Sequence, residues 1–111
     1  MDIRITPGKL CGTLEAPPSK SHAHRLMTAV ALAGKKNSES FCTSEDTRAT
    51  FRCLNELHDG GILDCGESGT TLRFLLPVAS ALGINAEFIG HGRLPERPMS
   101  ALNNALRENG A

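Results

Sequence analysis

The stretch Ile62-Leu63-Asp64-Cys65-Gly66-Glu67-Ser68-Gly69-Thr70-Thr71-Leu72-Arg73-Phe74-Leu75-Leu76-Pro77-Val78-Ala79-Ser80-Ala81-Leu82 decides the fold class. A short apolar segment, Ile62-Leu63, runs into a glycine turn. From Leu72 to Leu82 apolar residues fall on most faces, which predicts a buried helix that Pro77 should kink. Asn85 to Gly90 then reads as a strand. Strand, helix, strand in one short run points to an α/β (α+β) fold with helices layered on a sheet.

Working towards the N-terminus, Gly60-Gly61 ends a helix whose apolar face is Phe51, Leu54 and Leu57. Ser44 is its expected N-cap, with Glu45 and Asp46 well placed in the first turn. Residues 38–43 read as a strand. Leu26, Met27, Val30 and Ala31 lie at helical spacing before Gly34, so residues 21–33 read as a helix capped by Ser19 or Ser21. Pro17-Pro18 separates it from two short alternating segments, Ile3/Ile5 and Leu14/Ala16, read as strands around Gly12. Towards the C-terminus, His91 to Arg97 is a basic loop, and Pro98 fits the first turn of a last helix closed by Gly110. No linker divides the 111 residues.

Composition narrows function by exclusion. Lys+Arg and Asp+Glu are both 12, so the formal net charge is zero. A general nucleic-acid or membrane-surface binder would carry a basic excess. No apolar run is long enough to span a bilayer, and Met1-Asp2-Ile3-Arg4-Ile5 lacks the character of a secretory signal, so a cytoplasmic location is expected. Cys11, Cys42, Cys53 and Cys65 form no C-x-x-C pair and read as free thiols. His22 and His24 diverge on a helix, so no metal site is expected.

Three donor-rich segments remain. Ser19-Lys20-Ser21-x-x-x-Arg25 stands at a helix entrance, where unpaired N–H groups and the helix dipole favour an anion. Gly66-Glu67-Ser68-Gly69-Thr70-Thr71-x-Arg73 offers a second entrance with glycines that admit a close ligand; it lacks the P-loop spacing. Gly92-Arg93-Leu94-Pro95-Glu96-Arg97-Pro98 holds two arginines in a proline-stiffened loop. Each alone also reads as a capped helix or a solvated loop. Together they suggest an enzyme that handles two small, multiply charged substrates.

At these segments, and at Ser44-Glu45-Asp46-Thr47-Arg48, the chain resembles the enolpyruvyl transferase family, in its shikimate 3-phosphate branch. The motifs fall in family order and cover nearly the whole chain. The resemblance implies transfer of the enolpyruvyl group of phosphoenolpyruvate to the 5-hydroxyl of shikimate 3-phosphate, by addition and elimination, without metal or organic cofactor. It implies that Lys20 is catalytic and contacts both substrates, that Ser21 and Arg25 bind the shikimate moiety, that Gly69 offers its N–H to phosphoenolpyruvate, and that Arg93 binds its anionic groups. Arg97 is expected to pair with nearby acids. The implied fold is part of an inside-out α/β barrel of βαβαββ units. Residues 1–111 would be one N-terminal fragment of it, with 1–16 a strand that pairs with a second domain the chain lacks. The fragment alone is expected to be inactive.

Three departures accompany the match. Pro18 stands where the family often has Gly, Glu67 where many members have Asn, and the family is longer after His58. A UDP-N-acetylglucosamine enolpyruvyl transferase and a non-catalytic anion-binding remnant are the competing readings. The Ser-Lys-Ser-x-x-x-Arg pattern favours the shikimate branch.

Overall fold

Three serines start the three principal helices. In the computed structural model, which describes residues 1–111, α1 (Lys20–Leu32) follows Ser19, whose side chain accepts from His22 N–H. α2 (Glu45–Glu56) follows Ser44, which exchanges hydrogen bonds with Thr47 in a capping box. α3 (Gly69–Ala81) follows Ser68, which accepts from Thr71 N–H at 3.2 Å. Each cap satisfies one of the orphan N–H groups of a first turn. α3 runs through Pro77, and the helix starts three residues before Leu72 because Ser68, not a later residue, is the cap.

β1 (Gly61–Asp64) and β2 (Ala86–Ile89) pair in parallel, Leu63 opposite Phe88, as a two-stranded sheet. With α3 as the crossover this is a βαβ unit, and the observed class is α/β. α4 (Ser100–Glu108) follows. It begins after Pro98 and Met99 rather than on the proline.

Met27 from α1, Cys53, Leu54 and Leu57 from the α2 region, Leu63 and Cys65 around β1, Leu75 and Ala79 from α3, and Leu94 form one core cluster. Burying a side chain such as Met27 or Leu75 contributes about 1.5–3 kcal/mol. No helix is long and apolar enough to cross a membrane.

Three expected strands are not seen. Residues 38–43 hold a single 3-10 turn, Glu39–Phe41, because Ser38 Oγ accepts from Ser40 N–H and draws the backbone away from extension. Residues 1–16 form no ladder, and every residue from Met1 to His22 is exposed, including Ile3, Ile5, Leu10 and Leu14. The radius of gyration, 17.2 Å, exceeds the about 13 Å of a compact chain of this length, as an unpacked terminal segment requires.

All four cysteines are free; Cys11 is exposed and Cys53 and Cys65 are buried. A hydrogen bond with Cys65, and burial, push the Cys53 thiol up. The thiolate is the reactive form. A colorimetric disulfide reagent should therefore titrate Cys11 at once, Cys42 more slowly, and Cys53 and Cys65 only on unfolding. Four equally fast thiols would contradict this packing.

Candidate functional site

The loops that leave the carboxyl ends of β1 and β2 lie side by side, the usual place for a ligand in a parallel sheet. They are laced together. His91 N–H donates to Gly66 O at 2.8 Å, and Cys65 N–H to Ile89 O at 2.9 Å. Asp64 accepts from Gly66 N–H at 2.8 Å and pairs with His91 Nε2 at 3.1 Å. The Gly66 hydrogen bond first, and His91 second, hold the Asp64 carboxyl below its ordinary range. Gly92 leaves room for the Glu67 carboxylate, which lies against its backbone.

This lacing carries the second loop back over the start of α3. A Cβ at Gly69 would stand 2.8 Å from Arg97 Nη1 and 3.1 Å from Arg73 Nη1. Two guanidinium groups therefore converge on the first residue of the helix. Arg73 Nη2 also donates to Pro98 O at 3.3 Å, which ties the helix to the loop. The N–H groups of Gly69 and Thr70 have no backbone or side-chain acceptor, since the Ser68 hydroxyl takes Thr71 N–H. No acid stands in the first turn of α3.

Arg97 does not pair with an acid, contrary to expectation. Its Glu96 neighbour forms no ion pair, and Arg25, Arg73, Arg93 and Arg97 all lack a carboxylate within 4.0 Å. Arg93 heads the Leu94–Glu96 turn with an exposed side chain. It is not among the groups nearest Gly69.

On α1, Lys20 Nζ pairs with Asp46 Oδ2 at 2.6 Å. An ammonium has three donors, so two remain. Asp46 and Glu45 occupy the first turn of α2 and neutralise its positive pole; α1 and α3 have no such acid. Ser21 and Arg25, one turn apart, are exposed on α1. Behind them α1, α2 and α3 are joined by a buried chain of His24, Thr50, Thr71 and Ser68. Two hollows, near 520 and 530 Å³, are lined by none of these residues. The arrangement is an open, donor-lined face.

Arg73 was legible as a neighbour of Gly69, four residues on along one helix. The approach of Arg97 was not, because it depends on the β1–β2 register. The polar chain through His24 was also missed; its only sequence signal is hydroxyls on otherwise buried helical faces.

Comparison with known proteins places this face in context. The sequence model of EPSP synthase (3-phosphoshikimate 1-carboxyvinyltransferase) matches residues 58–111. A 3-phosphoshikimate 1-carboxyvinyltransferase of Clostridium novyi is 33% identical over 98% of this chain and 32% of its own length. Proteins of that name from Clostridium botulinum and Clostridium kluyveri are each 36% identical, over 87% and 88% of this chain and 28% of their own. The chain thus spans roughly a third of the length of these curated relatives. The Clostridium novyi alignment runs over 139 residues, so about thirty positions of it face no residue here. The family match begins at His58, the residue after which the resemblance implies a longer chain. No solved structure matches significantly.

Proposed function

We propose that the chain belongs to the EPSP synthase family, which it resembles over its C-terminal half and over about a third of its relatives' length, and that its donor-lined face is one wall of a two-anion site for phosphoenolpyruvate and shikimate 3-phosphate. The observation that carries this reading is the convergence of Arg97 and Arg73 on the free N–H groups of Gly69 and Thr70. Every group there is a donor, and no carboxylate of the chain competes for it. Such a cluster suits a phosphate or carboxylate. We assign phosphoenolpyruvate to it, with Arg97 in the role the sequence suggested for Arg93, and Arg93 at the rim.

Shikimate 3-phosphate is assigned to the α1 end, where Ser21 and Arg25 present a hydroxyl and an unpaired guanidinium. Lys20 lies at the join and reaches both anions as the catalytic cation. The carboxyvinyl transfer then proceeds by addition of the 5-hydroxyl to the enol carbon, and elimination of phosphate from the tetrahedral adduct. The chain's residues position the two anions and stabilise charge on the oxygens of the departing phosphate. Remaining groups, including a base, would come from a second domain, to whose sheet residues 1–16 would add a strand. The βαβ unit would be one repeat of an inside-out barrel.

The test is a titration of the ¹⁵N-labelled 111-residue chain. Phosphoenolpyruvate should shift the Gly69 and Thr70 amides, shikimate 3-phosphate the first turn of α1, and UDP-N-acetylglucosamine neither. With both substrates the chain alone should release no phosphate. Absent shifts, or shifts with the UDP sugar only, would overturn the assignment; clear turnover would overturn the single-wall reading.

A further inference from the structure

Four buried side chains connect the N-terminal halves of α1 and α2 to the first turn of α3 and its cap. His24 Nδ1 lies 2.7 Å from Thr50 Oγ1, Thr50 Oγ1 lies 2.7 Å from Thr71 Oγ1, and Thr71 Oγ1 donates to Ser68 Oγ at 2.7 Å. None of the four is more than 1% exposed.

The geometry orders the protons. A hydroxyl has one proton to give. That of Thr71 points to Ser68 Oγ or to the Asp46 carbonyl at 3.3 Å, and a carbonyl only accepts. Thr71 therefore accepts from Thr50. Thr50 has then used its proton and accepts from His24 Nδ1–H. The imidazole keeps its proton on Nδ1 and leaves Nε2 bare, and Nε2 is indeed buried without a partner. Protonating Nε2 would bury a cation with an unpaired N–H, at high cost.

We infer that His24 is a positioning residue for the anion site, holding the first turn of α3, and with it Gly69, in register with the Lys20 end of α1. The inference rests on the reading of Gly69 and Arg97 as that site. The last member of the chain, Ser68, is the cap of α3, so the direction of its hydroxyl is set from His24 through two threonines. Losing the first donor frees Thr50 to turn. Thr71 and the cap then lose their fixed order, next to the two N–H groups that meet the ligand.

A pH dependence accompanies this role. The groups facing His24 are Lys20 on its own helix and Asp46 on α2; α3 contributes only hydroxyls. Burial holds the imidazole below its ordinary value of 6.5, Asp46 opposes this, and Lys20 adds to it. Below that value the unfolded chain binds the proton more readily than the folded one. Stability is therefore intact above 6.5 and falls as the pH drops beneath it; the folded chain is disturbed only at the lower pH where the buried imidazole itself protonates, because Nδ1–H is kept and the added Nε2–H has no partner.

The test uses the full chain with sulfate as probe, whose charge is constant over the range, read at the Gly69 amide. Wild type should bind several-fold more weakly at about pH 5 than at about pH 7.5. His24→Asn, whose amide NH₂ replaces Nδ1–H, should bind within about twofold of wild type at the higher pH and lose the slope. His24→Leu and Thr50→Val should bind about fivefold more weakly, the equivalent of one hydrogen bond. If His24→Leu does not fold, Thr50→Val decides. Wild-type binding by folded Thr50→Val, or a pH slope kept by His24→Asn, would overturn the positioning role and leave the site reading standing. No shift at Gly69 in wild type at any pH would overturn the site reading, and this inference with it.

Discussion

Arg97→Ala is expected to weaken phosphoenolpyruvate binding by at least about tenfold, because a hydrogen bond to a charged group contributes about 1.5–3 kcal/mol. Arg93→Ala should change it by less than about threefold, the scale of an exposed charge. Gly69→Ala supplies an independent arm. The new methyl group would meet Arg97 Nη1 at 2.8 Å and Arg73 Nη1 at 3.1 Å, so both guanidinium ends must move. Gly69 does not have a positive φ, so alanine fits its backbone, and at this first helical position it should leave helix stability little changed. Affinity should fall while the melting temperature holds. Calorimetric titration of the three variants checks this. A larger loss in Arg93→Ala than in Arg97→Ala would reverse the assignment of the two arginines.

Leu75→Ala carries the largest expected loss of stability. Leu75 is fully buried in the core cluster that also holds Met27, Leu63 and Cys53. Truncation of such a leucine costs about 2–5 kcal/mol. A small domain has only about 5–15 kcal/mol in total. Here only 17 of 111 residues are buried, so the chain belongs at the low end, and the variant should be largely unfolded at room temperature. Leu82→Ala is the control: Leu82 is 46% exposed and its loss should cost less than about 0.5 kcal/mol. Urea midpoints for the two variants measure the contrast. Equal midpoints would show that the core is not centred on α3.

What the sequence made legible was local. Ser44 announced α2 through its own capping chemistry, and Gly60, with a positive φ of 68°, closed the Leu57–Asp59 3-10 turn that follows it. The βαβ run from Gly61 to Ile89 followed from apolar segments broken by glycine. What it concealed was non-local. Ile3 and Ile5 have the alternation of a strand, but a strand exists only with a partner, and none lies within this chain. Ser38-Glu39-Ser40-Phe41 reads as part of a strand too, yet the Ser38 hydroxyl accepts from Ser40 N–H and meets the Ser40 hydroxyl instead. Gly69 is expected to contact an anion through the family resemblance of its helix-entrance segment. The arginine that meets it, 28 positions on, is brought there by the Leu63–Phe88 register, for which no single motif stands.

The three serine-capped helices meet at one end, and only one of the three poles is quenched by its own acids. A molecule of zero net charge thus has a field with direction. Far away it neither attracts nor repels. Within a Debye length, about 8 Å at physiological salt, an approaching dianion meets two open helix poles and several unpaired guanidinium groups. Neutrality and capture are compatible: the chain would gather its ligand by local steering, sensitive to ionic strength, without the overall basic charge that collects polyanions indiscriminately.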